Sequence, residues 1–134
     1  MPRMSLLQRC RHPLLAVMAS MLLGACGGGI YLEFGDDDYL APVVDLAAAS
    51  LSAQAGQSVR LVAAAADENG IDHVSFYRYD GNTAVRLGSD NAPPYDWQLL
   101  LPSDGRTSVI VFARAVDEAG NVADSNLVTI SITP

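Results

Sequence analysis

The chain has 134 residues, of which 50% are hydrophobic and 17% charged, enough for one domain and a short additional segment. Eight arginines and no lysine stand against 15 acids, and because Arg3, Arg9 and Arg11 all precede the first acid, Glu33, the rest of the chain sets five bases against 15 acids, a net −10. A surface that negative repels phosphate backbones and anionic headgroups, which excludes nucleic acid as a partner.

The basic opening leads into PLLAVMASMLLGA, from Pro13 to Ala25. As a helix rising about 1.5 Å per residue this run covers about 20 Å, short of a hydrocarbon core roughly 30 Å thick. A basic start, a short apolar run and the small pair Gly24-Ala25 form the pattern of a secretory signal peptide over residues 1–25. Cys26 follows at once, and Leu23-Gly24-Ala25-Cys26 closely resembles the lipobox of bacterial lipoproteins. The resemblance implies that the Cys26 thiol receives a diacylglyceryl group, that a dedicated peptidase cuts before it, and that the new amine often takes a further acyl chain such as palmitate. The residue types suit that chemistry. A thiol is the best nucleophile for thioether formation, small neighbours admit the backbone to a narrow protease cleft, and two or three acyl chains hold where one is marginal. Gly27, where the family's inner-membrane members carry aspartate, implies by the same analogy passage to the outer membrane. Removal of the leader takes Cys10 with it and leaves Cys26 alone, so neither an intramolecular disulfide nor a CxxC motif is available.

Residues 26–40 read as a lipidated cysteine and flexible acidic tether. Gly27-Gly28-Gly29 starts it loosely, and Asp36-Asp37-Asp38 repels itself and the membrane surface. Ile30, Tyr31, Leu32 and Phe34 offer an alternative, an added edge strand or a contact with a partner. From residue 41 onward the texture changes to short alternating stretches. Strands are predicted at Val43 to Leu46, Ser58 to Asp67, Ile71 to Tyr79, Thr83 to Leu87, Tyr95 to Leu101, Ser108 to Asp117 and Leu127 to Thr133. The alternation turns Val59, Leu61, Ala63 and Ala65 to one face, then Val74 and Phe76, then Tyr95, Trp97, Leu99 and Leu101 inward, then Val109, Val111, Ala113 and Ala115 to one face. Gly- and Asn-bearing turns separate them, among them Glu68-Asn69-Gly70, Asp80-Gly81-Asn82 and Ala119-Gly120-Asn121. About seven short strands over residues 41–134 predict an all-β, antiparallel two-sheet sandwich.

The stretches AGQSVRLVAAAADENGIDHVSFYRYDG, PPYDWQLLLP and FARAVDEAGNVADSNLVTISI resemble bacterial immunoglobulin-like domains. The resemblance implies an immunoglobulin-like fold and an adhesive, spacer or accessory role, and it assigns no chemistry.

Three sites follow from the residues. Asp67-Glu68-Asn69-Gly70 and Asp117-Glu118-Ala119-Gly120-Asn121 come to one end of such a sandwich, where their acids either cap their own turns or, as the alternative, collect oxygens for calcium. His73, Tyr77 and Tyr79 face away from the core of their strand, as do Ile110, Phe112 and Arg114 from theirs. As sheet neighbours they form an aromatic and basic face, exposed for binding unless the tether, a loop or cross-strand pairing covers it. His73 and Ser75 share a side, yet no GxSxG, HExxH, P-loop or GxGxxG pattern accompanies them, so catalysis and a cofactor are not expected. The sequence therefore reads as a non-catalytic, lipid-anchored envelope protein. Cys26 is its attachment point, His73, Tyr77, Phe112 and Arg114 form its binding face, and its partner is an envelope protein or glycan.

Overall fold

A computed structural model describes residues 39–134, and the leader, Cys26 and almost all of the tether lie outside the described residues. Nine strands form the domain: β1 (Val43–Ala48), β2 (Ser52–Gln54), β3 (Ser58–Ala66), β4 (Ile71–Asp80), β5 (Thr83–Asp90), β6 (Tyr95–Leu100), β7 (Ser108–Asp117), β8 (Val122–Asp124) and β9 (Val128–Thr133). A three-stranded sheet takes the order β1-β3-β6, and a six-stranded sheet runs β2-β9-β7-β4-β5 with β8 also on β7. All pairings are antiparallel except β2 with β9. This is the predicted immunoglobulin-like sandwich.

The core follows from the period-two pattern. Val44, Leu46, Val59, Leu61, Ala63, Tyr95 and Leu99 line the inner face of the smaller sheet. Val74, Phe76, Val109, Val111, Ala113, Ala115, Val128, Ile130 and Ile132 line that of the larger. Each large side chain fully buried here contributes about 1.5–3 kcal/mol of hydrophobic stabilisation. The alanine run Ala63 to Ala66 is strand despite alanine's helical preference, because all four residues pair with β1 and Ala63 pairs with β6 as well. Of the four β6-region residues predicted to point inward, Tyr95, Leu99 and Leu101 are buried, while Trp97 is half-buried at the open side of the sandwich and stacks on Phe76.

Two strands were not legible in the sequence. After β1 the chain crosses from the smaller to the larger sheet, where β2 pairs in parallel with β9 (Ser52 opposite Ser131, Gln54 opposite Thr133). β8 and β9 follow the same side of β7, separated by Ser125, Asn126 and Leu127. The Asn126 amide group reaches the smaller sheet. Its Oδ1 accepts from the Leu46 N–H at 2.9 Å and its Nδ2 donates to the Leu46 carbonyl at 3.0 Å, capping the open side of edge strand β1. The domain has two distinct ends. Val43 enters beside the Asp67 to Gly70 turn, and Thr133 leaves beside Gln54, next to the loop that contains Gly105.

Candidate binding face

β4 and β7 are neighbours, with Ser75 opposite Arg114 and Tyr77 opposite Phe112, so the outward residues of the two strands share one face of the larger sheet. Strand alternation lifts these side chains off the core side, and cross-strand pairing then packs them on one another. The Tyr77 and Phe112 rings stack 5.0 Å apart at 8°, and Tyr79 leans on Phe112 at 5.3 Å and 34°. The Arg114 guanidinium lies 5.2 Å from the Tyr77 centroid and 5.9 Å from that of Phe112, within cation–π range of both. Asp124 fixes it there, its carboxylate accepting from Arg114 Nε at 2.6 Å and Nη2 at 2.8 Å. This two-pronged pair holds the Asp124 carboxyl below the ordinary carboxylate value.

The arrangement departs from the sequence expectation at Phe112. Its ring points away from the core yet is only 3% exposed, because Tyr77, Tyr79 and Arg114 enclose it. The accessible surface is therefore made of the two tyrosines and Arg114, with Phe112 as the floor that props them up. His73 stands further along β4, opposite Val116, and its Nδ1 lies 2.6 Å from Asp72 Oδ2 rather than against the aromatic stack. Ser75 is 2% exposed and accepts from Arg86 Nε at 3.3 Å, so the hydroxyl on which a His73–Ser75 pair would depend is turned to an arginine.

Sequence reading missed Arg86 altogether. It lies opposite Tyr77 across the β4–β5 ladder, and its Nη2 donates to Ser89 Oγ at 2.9 Å. A register shift between Phe76 and Tyr77 sets that pairing, and alternation counted along one strand does not reveal it.

The two acidic loops do lie side by side, where the Glu118 N–H donates to the Gly70 carbonyl at 3.1 Å. Each leading aspartate serves its own turn. Asp67 Oδ2 accepts from the Asn69 N–H at 2.9 Å, and Asp117, 1% exposed, accepts from Asn121 through the backbone N–H at 2.8 Å and Nδ2 at 2.9 Å. Burial pushes the Asp117 carboxyl up, but the donors of Asn121, Ala119 and Gly120 outweigh it and leave the group below its ordinary value. Among the described residues no group of three or more His, Cys, Asp or Glu side chains is placed to hold a metal ion.

Residues 42–111, from the strand entry to the middle of β7, match the family described as bacterial Ig domain. The chain belongs to the bacterial Ig domain family. Among solved structures it is similar to the fibronectin(III)-like modules of Clostridium thermocellum CbhA, at 21% identity and a TM-score of 0.54, over 67% of this chain and 94% of that one. A chain from the structure of T cell activation by the bacterial superantigen toxic shock syndrome toxin-1 matches at 11% identity and a TM-score of 0.54, over 69% and 100%. Likeness at those identities speaks to the sandwich alone. No curated protein is similar to the chain in sequence. The bacterial Ig match stops before β8, so Asp124, which fastens Arg114, and Asn126, which caps β1, both lie outside the matched segment.

Proposed function

We propose that this chain is a lipid-anchored protein of the bacterial cell envelope whose Ig domain is a non-catalytic binding module, holding a partner protein on the outer face of its larger sheet. One observation carries the reading: Tyr77, Tyr79 and Arg114 are braced over a buried Phe112 and locked by Asp124. Side chains already ordered lose little entropy on binding, and tyrosine and arginine are the residue types that dominate protein–protein hot spots. A protein suits the face better than a glycan. Each ring already gives one face to a neighbour, Tyr77 and Phe112 to each other and Tyr79 to Phe112, which leaves less aromatic face for a pyranose to stack on.

The anchor is the Leu23-Gly24-Ala25-Cys26 motif, with the thioether and acyl chains that such motifs carry, and Gly27 favours delivery to the outer membrane. Two measurements test the two halves separately. Cys26→Ala abolishes incorporation of labelled palmitate and releases the protein from membranes; unchanged labelling and retention would refute the anchor. Tyr77→Ser leaves the thermal melt within a few degrees of the native chain but lowers partner capture from solubilised envelopes by roughly tenfold or more. Capture at the native level would refute the binding face. Phe112 is the wrong residue for this test, since emptying a buried aromatic site costs about 3–5 kcal/mol of folding stability.

A further inference from the structure

Arg86 differs from every other arginine of the described residues. Arg60 meets Asp96, Arg78 meets Asp80, Arg106 meets Asp80 and Asp104, and Arg114 meets Asp124. Arg86 alone is bound by hydroxyls, those of Ser75 and Ser89, in a domain where acids outnumber arginines about two to one. Among the described residues no carboxylate pairs with it, and the two hydroxyls hold its charge in place.

Its position adds a second observation. β5 is the terminal strand of the larger sheet on that side, and no strand pairs beyond it among the described residues. Asp90, at the far end of β5, accepts from the Asp96 N–H, and Trp97 covers Gly88, so β6 shields that end. The stretch Thr83 to Leu87 is left with its backbone edge open, and Arg86 lies within it. A charged residue on an edge commonly keeps other strands away by projecting into the space they would need. Arg86 is instead drawn back onto Ser75 and Ser89, beside Tyr77.

We infer that the open part of β5 receives an extended segment of a partner protein as an added strand, with one partner carboxylate seated on Arg86. Backbone pairing supplies a ladder of N–H to carbonyl bonds, and the Cβ of a residue directly opposite Arg86 would lie about 4.5–5.5 Å from the Arg86 Cβ, near enough for a carboxylate to reach the guanidinium across the face of the sheet. Charge complementarity selects the occupant, because among the described residues the arginine without a carboxylate is the one beside the free edge. The inference rests on the binding-face reading and names the chemistry of its partner.

The test uses the full chain in nanodiscs and a displayed library of random heptapeptides. Recovered peptides carry Asp or Glu at one fixed position among β-branched residues. Their affinity falls about tenfold on Arg86→Gln and recovers in part on Arg86→Lys, which restores charge without the planar fork. N-methylation of alternate peptide amides abolishes binding. Recovery of no peptide, recovery without an acid preference, or equal binding by Arg86→Gln overturns the inference. Arg86-dependent binding of polygalacturonate in place of peptide also overturns it, in favour of an anionic glycan. If Tyr77→Ser loses the envelope partner while Arg86→Gln keeps it, the binding face stands and only the anchoring role of Arg86 falls.

Discussion

Gly88 shows how much one missing methyl can matter. A Cβ built there would lie 2.2 Å from Cη2 of Trp97 and 2.4 Å from its Cζ3, so the indole covers backbone at a distance no other residue type permits. Gly88 pairs with Phe76, on which Trp97 stacks, and the three close the side of the sandwich where β5 and β6 approach. Gly88→Ala is expected to displace the ring and cost about 1–3 kcal/mol in denaturant unfolding. Trp97 is the only tryptophan in the chain, so its fluorescence reads the displacement directly as a shift toward a more solvated emission. Native emission and stability in that variant would show that the ring does not depend on the glycine. Little of this is legible from the residues alone. Alternation places Trp97 with Tyr95 and Leu99, but its contact with Gly88 depends on how two sheets meet, and period-two counting carries no information about that.

Among the elements, the seven predicted strands were legible because each has a half-buried pattern, to within a residue or two at most ends and three at the end of β5. β2 and β8, three residues each with a single half-buried position, offer no period to read and owe their existence to β9 and β7. The outer face of β4 and β7 was legible in the same incomplete way. Tyr77 and Arg114 emerge from alternation on two neighbouring strands, whereas Asp124 requires β8 and Arg86 requires the β4–β5 register shift. Asn126 is the element-scale counterpart of these hidden contacts, since its side chain supplies the partner that an edge strand lacks. Asn126→Ala leaves the Leu46 N–H and carbonyl uncapped and is expected to cost about 1–3 kcal/mol. Amide exchange at Leu46 should accelerate more than at Val128, which lies in the adjoining strand. Equal changes at both would mean that the asparagine supports the chain break rather than β1.

Across the whole domain, the far end is fastened by charge. Arg78 and Arg106 both donate to Asp80, at 2.9 and 2.8 Å, and Arg106 also grips Asp104, tying the β4–β5 turn to the β6–β7 loop. Hydrogen bonds from Arg78, then from Arg106, pull the Asp80 carboxyl from 3.8 down to about 2. A depressed folded value means that ionised Asp80 supports the fold fully above pH 4 and that this support is lost as pH falls through about 2. Asp90, Asp104, Asp117 and Asp124 are lowered as well, so the domain is expected to lose stability with acid across that window. Asp80→Asn should flatten some of the decline in melting temperature between pH 5 and 2. A slope identical to that of the native chain would show that solvent screening leaves the cluster without effect on stability.

The parallel pairing of β2 with β9 has a mechanical consequence. The chain enters at one end of the sandwich and leaves at the other, and these two strands run in the same direction. Tension applied between residue 39 and Pro134 therefore pulls β1 along β3 and then slides β2 along β9, loading the bonds of each ladder together, where an antiparallel hairpin pulled at its open end would unzip rung by rung. A domain wired in this way resists stretching along its long axis far better than peeling at its edges.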